Sequence, residues 1–357
     1  MKDYTKQNKE HLKEIKQFLN DNKVAYKIEN NNTFVLNYNN NERNYEISYV
    51  PSHLHPMTYE KYGIEGVSPD YFYKLSHKAE HEDNSFKCWV KDYEWADDRK
   101  REVLKSYFLH AAQKTKKRFY ARDCEVKEVK TKEGRTFESL NCFYGKRGAS
   151  LSLGLYLKKD KHGEKAGTLV MIYTFGKNFF GKDNSIEILR VGTLKFSQVI
   201  GGSSKLLKYF MNNYPTMLIG KNEVPVEKLK FYSDYDHNLG GSMKELGFDF
   251  INYSKGGFMN YWVETGEVKG RQPNKHKWVM EQMSEGKVFA IPNAGVKTYI
   301  LNAIRERVKK LSKEYKKQYI DIVNKLKIEQ DIEDMNDDEY KLIIKSFKNL
   351  KLKITYI

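Results

Sequence analysis

The run of residues best suited to chemistry combines two glycines, two serines and a lysine: Gly201, Gly202, Ser203, Ser204 and Lys205. It follows a strand-like segment that ends at Val191 and precedes a helix-like segment. Where a loop enters a helix, unpaired backbone N–H groups and the helix dipole point to one place, which attracts phosphate. The run therefore predicts a phosphate-binding turn. A glycine turn in which one of the serines caps the helix is the alternative.

Three polar residues flank this run in the sequence: Arg190, Asp234 and His237. An Asp and a His three residues apart can move protons in general acid/base catalysis. Arg190 precedes the glycine turn and would position a substrate or a phosphate group. We interpret the three as candidate catalytic residues of a transferase. As an alternative, an Asp-rich loop caps the helix that it precedes.

The segment His77-Lys78-Ala79-Glu80-His81 fits the H-x-x-E-H pattern of inverted zinc peptidases. Two histidines four residues apart on a helix face the same side and can share a zinc ion. The pattern is short, however, and no third candidate zinc ligand follows it at an informative spacing in the sequence. We interpret the segment as a solvated helix face and predict no metal site.

Basic residues alternate with aromatic residues in four segments: Lys114–Tyr120, Lys127–Arg135, Phe143–Arg147 and Lys158–Lys165. Lys and Arg neutralise phosphates, while Tyr and Phe stack on unpaired bases. The chain carries 63 Lys and Arg against 47 Asp and Glu, a net charge of +16. This favours a polyanionic partner. The candidate nucleic-acid contacts are Lys114, Lys116, Lys117, Arg118, Lys146 and Arg147. A lysine-rich solvated surface without a partner is the alternative.

The 357 residues are enough for two domains, or for two domains and an appendage, and 39% hydrophobic residues supply real cores. No apolar run approaches the roughly 20 residues of a membrane span, so no membrane contact is predicted. The first residues lack the apolar stretch of a secretion signal, which predicts a cytoplasmic protein. Three cysteines without a C-x-x-C pair support neither a disulfide framework nor a zinc finger.

The periodicity of apolar residues predicts that the first region contains both helices and strands, which must position the H-x-x-E-H segment. A helix over residues 5–21 places Leu12, Ile15, Phe18 and Leu19 on one face. Two alternating segments then predict a strand hairpin, Thr33–Tyr38 with Asn44–Val50. The remaining elements of this region are a helix, a buried strand and a second helix: Tyr71–Glu82, Ser85–Val90 and Asp97–Ala112.

The second region carries the strongest patterns. Four strands are predicted at Ser150–Leu157, Thr168–Phe175, Ile186–Val191 and Lys228–Ser233. The predicted helices are Ser203–Asn213 and Gly241–Leu246. From Tyr299 onward, apolar residues recur at spacings of three and four, which predicts one long amphipathic helix. The acidic run Asp331–Glu339 interrupts it before a final helix-like segment, Tyr340–Leu350. The long helix could dock on its own domain, pair with a second copy or bind a partner protein.

Several stretches resemble a group of phage-encoded homing-endonuclease-like proteins: Asp70–Trp95, Ala121–Val129, Leu153–Leu157, Tyr173–Lys177, Leu189–Phe210 and Tyr232–Phe250. In that group a nuclease domain related to very-short-patch repair enzymes precedes a domain similar to GNAT acyltransferases. The resemblance implies an α+β chain with a degenerate restriction-endonuclease-like α/β domain at 1–113. A GNAT-like α/β domain with a central mixed sheet would span 119–298, and a helical C-terminal extension 299–357.

The same resemblance implies where the nuclease chemistry has been lost. Metal-dependent nucleases of this kind need an Asp at a strand end and a nearby Glu, because Mg²⁺ requires clustered carboxylate oxygens. Leu36 and Asn37 stand where the Asp is expected, and Glu46 is the one remaining ligand. His53 and His55 lie where the family often has a Trp-His pair. The resemblance therefore predicts a nuclease scaffold that binds nucleic acid and is largely inactivated.

The implied function is nucleic-acid binding, with DNA preferred to RNA, in the cytoplasm of an infected bacterial host. The alternative is a GNAT-type transferase that modifies nucleic acid, as the related Mom-type proteins do. In that case acetyl-CoA or a related CoA donor would bind at Gly201–Lys205. A residual metal-dependent endonuclease ranks third. A host or phage protein that binds the C-terminal helix is a further partner that the resemblance implies.

Overall fold

The computed structural model describes residues 4–36, 43–58, 65–178, 185–238, 240–265, 267–270, 276–328 and 331–350. The protein has an α+β fold, as predicted. None of its described helices is both long enough and apolar enough to cross a lipid bilayer. Within the described residues, the cysteines Cys88, Cys124 and Cys142 are buried and free.

The first region is a four-stranded sheet with helices on its faces. Its elements are α1 (Tyr4–Asp21), β1 (Tyr26–Glu29), β2 (Thr33–Leu36), β3 (Asn44–Val50), α2 (Tyr71–His81), β4 (Ser85–Lys91), α3 (Asp92–Ala96) and α4 (Asp98–Ala111). The sheet order is β1-β2-β3-β4, and only β3 and β4 run parallel. The predicted hairpin is confirmed, although Asn37 and Tyr38 lie outside the described residues. Helix α1 buries Ile15 and Leu19 completely, as its periodicity predicts.

The second region is built on a seven-stranded sheet. Its elements are β5 (Lys117–Tyr120), β6 (Cys124–Glu128), α5 (Thr131–Asn141), β7 (Leu151–Leu157), β8 (Leu169–Lys177), β9 (Ile186–Thr193), β10 (Ser197–Ile200), α6 (Gly202–Asn213), β11 (Thr216–Ile219), β12 (Asn222–Pro225), β13 (Lys228–Asp234), α7 (Gly241–Glu245), β14 (Asp249–Ser254) and β18 (Val296–Asn302). The sheet order is β14-β18-β13-β9-β8-β7-β6. Within this described seven-stranded sheet, β13 and β9 form the single parallel pair; β5 and β10 form a separate parallel pair.

Helices α5 and α6 cover opposite faces of this sheet. The ring of Phe175 on β8 stacks on Phe210 of α6, with centroids 4.0 Å apart. The next residue toward the N-terminus, Thr174, donates a hydrogen bond to Glu138 of α5. Because neighbouring strand residues point to opposite faces, α6 covers the face of Phe175 and α5 the face of Thr174.

The structure contains an insertion between β14 and β18 that the sequence patterns did not predict. It comprises β15 (Phe258–Trp262), β16 (Val268–Gly270), α8 (His276–Ser284) and β17 (Val288–Pro292), with sheet order β16-β15-β17. Its small apolar core includes Met57 of the first region, packed among Val279, Met280, Met283 and Val288. The Met57 N–H also donates to the Ala290 carbonyl at 2.7 Å. The insertion therefore joins the two regions.

The long helix predicted from Tyr299 is wrong in its start and in its continuity. Residues 296–302 form β18, which pairs with both β13 and β14 in the sheet. The helical part consists of α9 (Ala303–Glu314), α10 (Lys316–Leu326) and α11 (Asp337–Asn349). Tyr315 leaves helical geometry, with φ −125° and ψ 49°, and separates α9 from α10.

These three helices pack on one another around a common core: Ile304, Val308, Leu311, Ile322, Met335, Tyr340, Ile343 and Phe347. The apolar stripe that the sequence left open to three uses therefore docks within its own chain. The sequence prediction of a partner protein at this stripe is not supported, because α11 already covers its buried positions.

Candidate functional site

Two segments that are distant in sequence form one strongly basic surface, residues 114–123 and 158–165. The Lys158 N–H donates to the Asp123 carbonyl at 3.0 Å, and the Lys161 ammonium lies 2.6 Å from the Asp123 carboxylate. His162 Nε2 lies 3.0 Å from the Arg118 carbonyl. Together the segments contain nine Lys and Arg and three acids, so this basic surface carries a net charge of +6 with His162 neutral.

Several of these cations remain exposed to solvent, namely Lys114, Lys116, Arg118, Arg122, Lys158, Lys159 and Lys165. The Tyr120 side chain is 37% exposed between two of the cations of the surface. The Arg122 guanidinium lies 5.0 Å and the Lys161 ammonium 4.9 Å from the centre of its ring. Tyr120 therefore fixes two long side chains through cation–π contacts and reduces their rotamer freedom.

The structure divides the predicted nucleic-acid contacts between two places. Four of them lie on the basic surface: Lys114, Lys116, Lys117 and Arg118. Lys117 is engaged there by Glu164 at 2.7 Å. The other two follow α5: Lys146 is exposed beside Lys132 and Arg135, while Arg147 pairs with the buried Glu187 at 2.9 Å. The sequence could not show that Arg147 has an internal carboxylate partner 40 residues away.

The glycine turn begins α6 as predicted, but its residues have different roles from those expected. Gly201 is the N-cap residue, with a left-handed φ of 73°, and no side chain caps the helix. The two serines lie inside the first turn, so the alternative in which a serine caps α6 is wrong. Gly202 is buried, and a Cβ there would lie 2.5 Å from Met171 Sδ. Close packing on the sheet therefore requires the second glycine.

Lys205 does not point to a phosphate at this turn. Its ammonium donates to the carbonyls of Ala121 at 2.8 Å and Cys124 at 2.6 Å. Two of its three donors are thus used to hold β6 and the basic surface against α6. The prediction that Lys205 binds a cofactor is not supported by this geometry, because its contacts are structural.

The predicted catalytic pair does come together. His237 Nδ1 donates to Asp234 Oδ2 at 2.6 Å, and the same carboxylate oxygen accepts from the Tyr144 hydroxyl at 2.7 Å. On its other side, His237 Nε2 lies 3.6 Å from a Glu94 oxygen. Burial alone would lower the pKa of His237, but the two carboxylates raise it well above its usual value. The two carboxylates therefore favour the imidazolium form of His237.

Arg190 lies in the same neighbourhood without contacting the pair. Its Nε donates to the Gly145 carbonyl at 3.1 Å, next to the tyrosine that binds Asp234. Burial lowers the pKa of Arg190. Arg190 is opposite Thr174 in the sheet register and so faces α5. The predicted catalytic residues therefore occupy the α5 face, whereas the glycine turn begins a helix on the other face. The structure therefore does not bring the two sets of residues together on one face of the sheet.

A second ion pair makes this cluster a junction between the two regions. The Lys91 ammonium, at the end of β4, lies 2.6 Å from Asp236 Oδ2, and the two side chains are 1% and 3% exposed. Asp236 Oδ1 also accepts from the Ala294 N–H at 2.8 Å. Only 3% of the His237 side chain is exposed. We interpret the cluster as a connection between regions, because Asp236 and Glu94 are buried at 3% and 6% exposure, although 21% of the Asp234 side chain is exposed.

The capping alternative for Asp234 is also wrong. Helix α7 has Gly240 as its N-cap residue, and the Gly240 N–H is bound by Asn238 Oδ1 at 2.7 Å. The second oxygen of Asp234 instead accepts from the Asp236 N–H at 3.1 Å. Asp234 thus shapes the turn that follows β13.

The residues considered for metal binding have other partners. Glu46 contacts the side chains of Ser85 and Lys87. Throughout the described part of the chain, no three His, Cys, Asp or Glu residues are grouped as a metal site. The H-x-x-E-H helix is not a solvated face as predicted. Its Glu80 binds the Lys297 ammonium at 2.6 Å, and the ring of His81 contacts Tyr253, with 2.7 Å between Nε2 and the hydroxyl. This helix face packs on the second sheet.

No family model matches the sequence, and no curated protein is similar to it.

Proposed function

We propose that the protein binds nucleic acid through the basic surface of residues 114–123 and 158–165. The observation that carries this proposal is the joining of two distant basic segments into one surface of net charge +6. Cations arranged in this way neutralise successive phosphates and release the counterions condensed on them. The exposed Tyr120 adds an aromatic group at the centre of the surface.

The organisation of the surface favours binding over an accidental excess of lysine. Three acids lie in it, and each holds a particular cation in place: Asp123 holds Lys161, Asp160 holds Lys165 and Glu164 holds Lys117. The remaining cations project from a strand and a hairpin that the hydrogen bonds fix relative to each other. A fixed array of this kind loses less side-chain entropy on contacting phosphates than independent lysines would.

The test is the salt dependence of binding, measured by fluorescence anisotropy with labelled duplex DNA and with RNA. A variant with Gln at Lys114, Lys116, Arg118 and Lys159 removes four exposed cations from the basic surface. Since each lost phosphate contact lowers the slope of log K against log salt by about 0.9 on duplex DNA, we expect the slope to fall by roughly 3.6.

The matched control replaces four exposed lysines on the C-terminal helices with Gln, at Lys313, Lys316, Lys317 and Lys345. It changes the net charge by the same amount but leaves the basic surface intact, so its salt slope should match that of the unaltered protein. Equal loss in both variants would show that binding follows overall charge. Wild-type affinity that does not change with salt would contradict the proposal itself.

A second candidate function is group transfer at the start of α6, from acetyl-CoA or a related donor. Two observations favour it. The sheet order β14-β18-β13-β9-β8-β7-β6, with its single parallel pair near the centre, suits the mixed sheet that the acyltransferase resemblance implies. In addition, β9 and β13 pair over only three residues each, so the strands separate beyond Ile188 and Phe231.

Calorimetric titration with acetyl-CoA tests this candidate. One molecule should bind per chain, and Ser204→Asp should weaken binding because a carboxylate in the first turn of α6 repels the pyrophosphate. The absence of heat up to millimolar acetyl-CoA would eliminate the transferase and leave nucleic-acid binding unaffected.

A further inference from the structure

Strand β5 of the basic surface belongs to a small ribbon that has an outward face. It pairs in parallel with β10, so that Arg118 lies opposite Gln198 and Tyr120 lies opposite Ile200. Phe119, between Arg118 and Tyr120 in the chain, is completely buried. Because neighbouring strand residues point to opposite faces, these two cross-strand pairs lie together on the outer face of the ribbon.

One of these pairs forms an exposed apolar patch within the charged surroundings. Tyr120 is 37% exposed and Ile200 is 40% exposed. Neighbouring strands lie about 4.8 Å apart, so the two side chains are adjacent. Apolar side chains that are exposed together inside a polar rim mark a contact site. The apolar patch of Tyr120 and Ile200 therefore suits a ligand that has an apolar face as well as negative charge.

Cations lie on two sides of the apolar patch. Before it in the chain, Lys114, Lys116 and Arg118 are exposed, while the residues between them are buried or half-buried. This alternation places the three cations on one side of the chain, in a row that leads to Tyr120. From the second basic segment, the Lys161 ammonium lies 4.9 Å from the centre of the Tyr120 ring. A ligand can therefore contact cations and the apolar patch at the same time.

We infer that the basic surface binds single-stranded nucleic acid and that an unpaired base packs against Tyr120 and Ile200. This inference rests on the proposed function and names the class of nucleic acid. In a duplex, stacking covers the base faces, and the base edges are reached only inside the grooves. A single strand turns a base toward the protein while its phosphates remain on the cations. Every base has such a face, so the apolar patch selects unpaired bases without reading their sequence.

The experiment separates the contribution of bases from that of phosphates. The labelled ligands are a single strand, a duplex of the same sequence and length, and an abasic strand that carries the sugars and phosphates alone. Affinities are measured by fluorescence anisotropy at one moderate salt concentration, and the single strand should bind most tightly. Tyr120→Leu should weaken binding of the single strand about 10-fold, the size of one base stack, and should change the other two affinities by less than about 2-fold.

Further variants test each half of the apolar patch. Tyr120→Phe keeps the ring and should keep the affinity for the single strand. Ile200→Ala removes most of the other side chain and should weaken single-strand binding about 3-fold. Ile251→Ala is the matched control, because Ile251 is 49% exposed on β14, at the opposite edge of the seven-stranded sheet from β6. This control should bind the single strand as the unaltered protein does.

The outcomes distinguish failure of this inference from failure of the proposed function. If the duplex binds as tightly as the single strand, or if Tyr120→Leu weakens binding of the abasic strand by the same factor, the base contact is refuted and binding through phosphates stands. A loss in Ile251→Ala equal to that in Ile200→Ala would also refute the base contact. If none of the ligands binds, the proposed function fails and the inference fails with it.

The single strand is prepared both as DNA and as RNA, because the two offer the same kinds of base face and phosphate. The loss in Tyr120→Leu should appear with the type that binds more tightly, and that type identifies the ligand. A loss with neither type would overturn the inference.

Discussion

Replacing Lys91 by methionine should destabilise the protein more than any exposed charge change, because Lys91 belongs to a fully buried ion pair. Its ammonium lies 2.6 Å from Asp236, and both side chains are at most 3% exposed. Methionine keeps most of the aliphatic volume but leaves the Asp236 carboxylate without its cation. Breaking a buried pair in this way costs about 3–5 kcal/mol in the free energy of unfolding.

The loss of stability in Lys91→Met should be smaller at lower pH. Burial raises the pKa of Asp236 even though Lys91 lowers it, so removal of Lys91 raises it further. A carboxyl group whose pKa is higher in the folded state than the usual value near 3.9 favours folding when protonated. Its contribution is present at low pH and is lost as pH rises through the folded-state pKa. The difference between Lys91→Met and the unaltered protein should therefore shrink from pH 7 to pH 5.

Urea unfolding followed by circular dichroism at both pH values measures this difference. The double variant Lys91→Met/Asp236→Asn removes the stranded charge and keeps an oxygen for the Ala294 N–H. It should recover about 2 kcal/mol relative to the single variant. A single variant that loses less than about 1 kcal/mol, or a loss equal at both pH values and not recovered in the double variant, would refute the reasoning.

Two other predictions concern packing and titration. Gly202→Ala should destabilise the protein by about 1–3 kcal/mol, because its Cβ would lie 2.5 Å from Met171 Sδ. The same substitution at Gly148, which has open space around it, is the control, and thermal unfolding temperatures that fall equally would contradict the packing argument. The pKa of His237 is raised by the carboxylates around it, despite burial. Its stabilising contribution is therefore complete below about pH 6.5 and declines as pH rises through the folded-state pKa. His237→Gln should flatten the urea stability profile above about pH 6.5, and an unchanged slope would show that another group titrates there.

The sequence predicted best the strands that lie inside the seven-stranded sheet, because their apolar residues form a clear pattern along the chain. Strands β7, β8 and β9 lie inside the sheet, so their apolar runs are dense and their ends coincide with turns. Strand β13 also lies inside the sheet, and its apolar residues alternate with polar ones. The predicted bounds of these four strands agree with the structure within two residues at most ends. The insertion was missed because its strands are short and partly exposed, which leaves no clear periodicity.

The prediction failed at β18 because its apolar residues fit both a helical and a strand spacing, and contacts with neighbouring strands decided between the two. Ile300 and Ile304 are four residues apart and continue the helical spacing of α9. Tyr299 and Leu301, however, are two residues apart and are each 1% exposed. Pairing with β13 on one side and β14 on the other gives these alternate positions a place in the sheet. A single apolar run fits either period, and only its neighbours choose between them.

At the candidate site, too, the sequence did not reveal contacts between residues that are distant in the chain. The contact between Asp234 and His237 follows from their spacing in a turn, although the sequence indicated them only as candidate proton-transfer residues and did not predict that they touch. Their burial depends on Lys91 and Glu94, which come from the other region and more than 130 positions earlier in the chain. In the same way, the basic residues were evident from composition, but their division into exposed cations and internally paired ones depends on folding.

The position of β18 has a consequence for how the chain is made. Strand β18 lies between β13 and β14, yet it follows both of them in the sequence. During synthesis, β13 therefore emerges with one neighbour and an unpaired edge, and the ribosome must add roughly 60 more residues before that edge is covered. β14 has no partner in the sheet during the same interval. A nascent chain released before Val296 would keep the unpaired backbone N–H and C=O groups at the edge of β13, which can pair with another chain. Premature termination in this interval should therefore yield aggregates and not a smaller soluble protein.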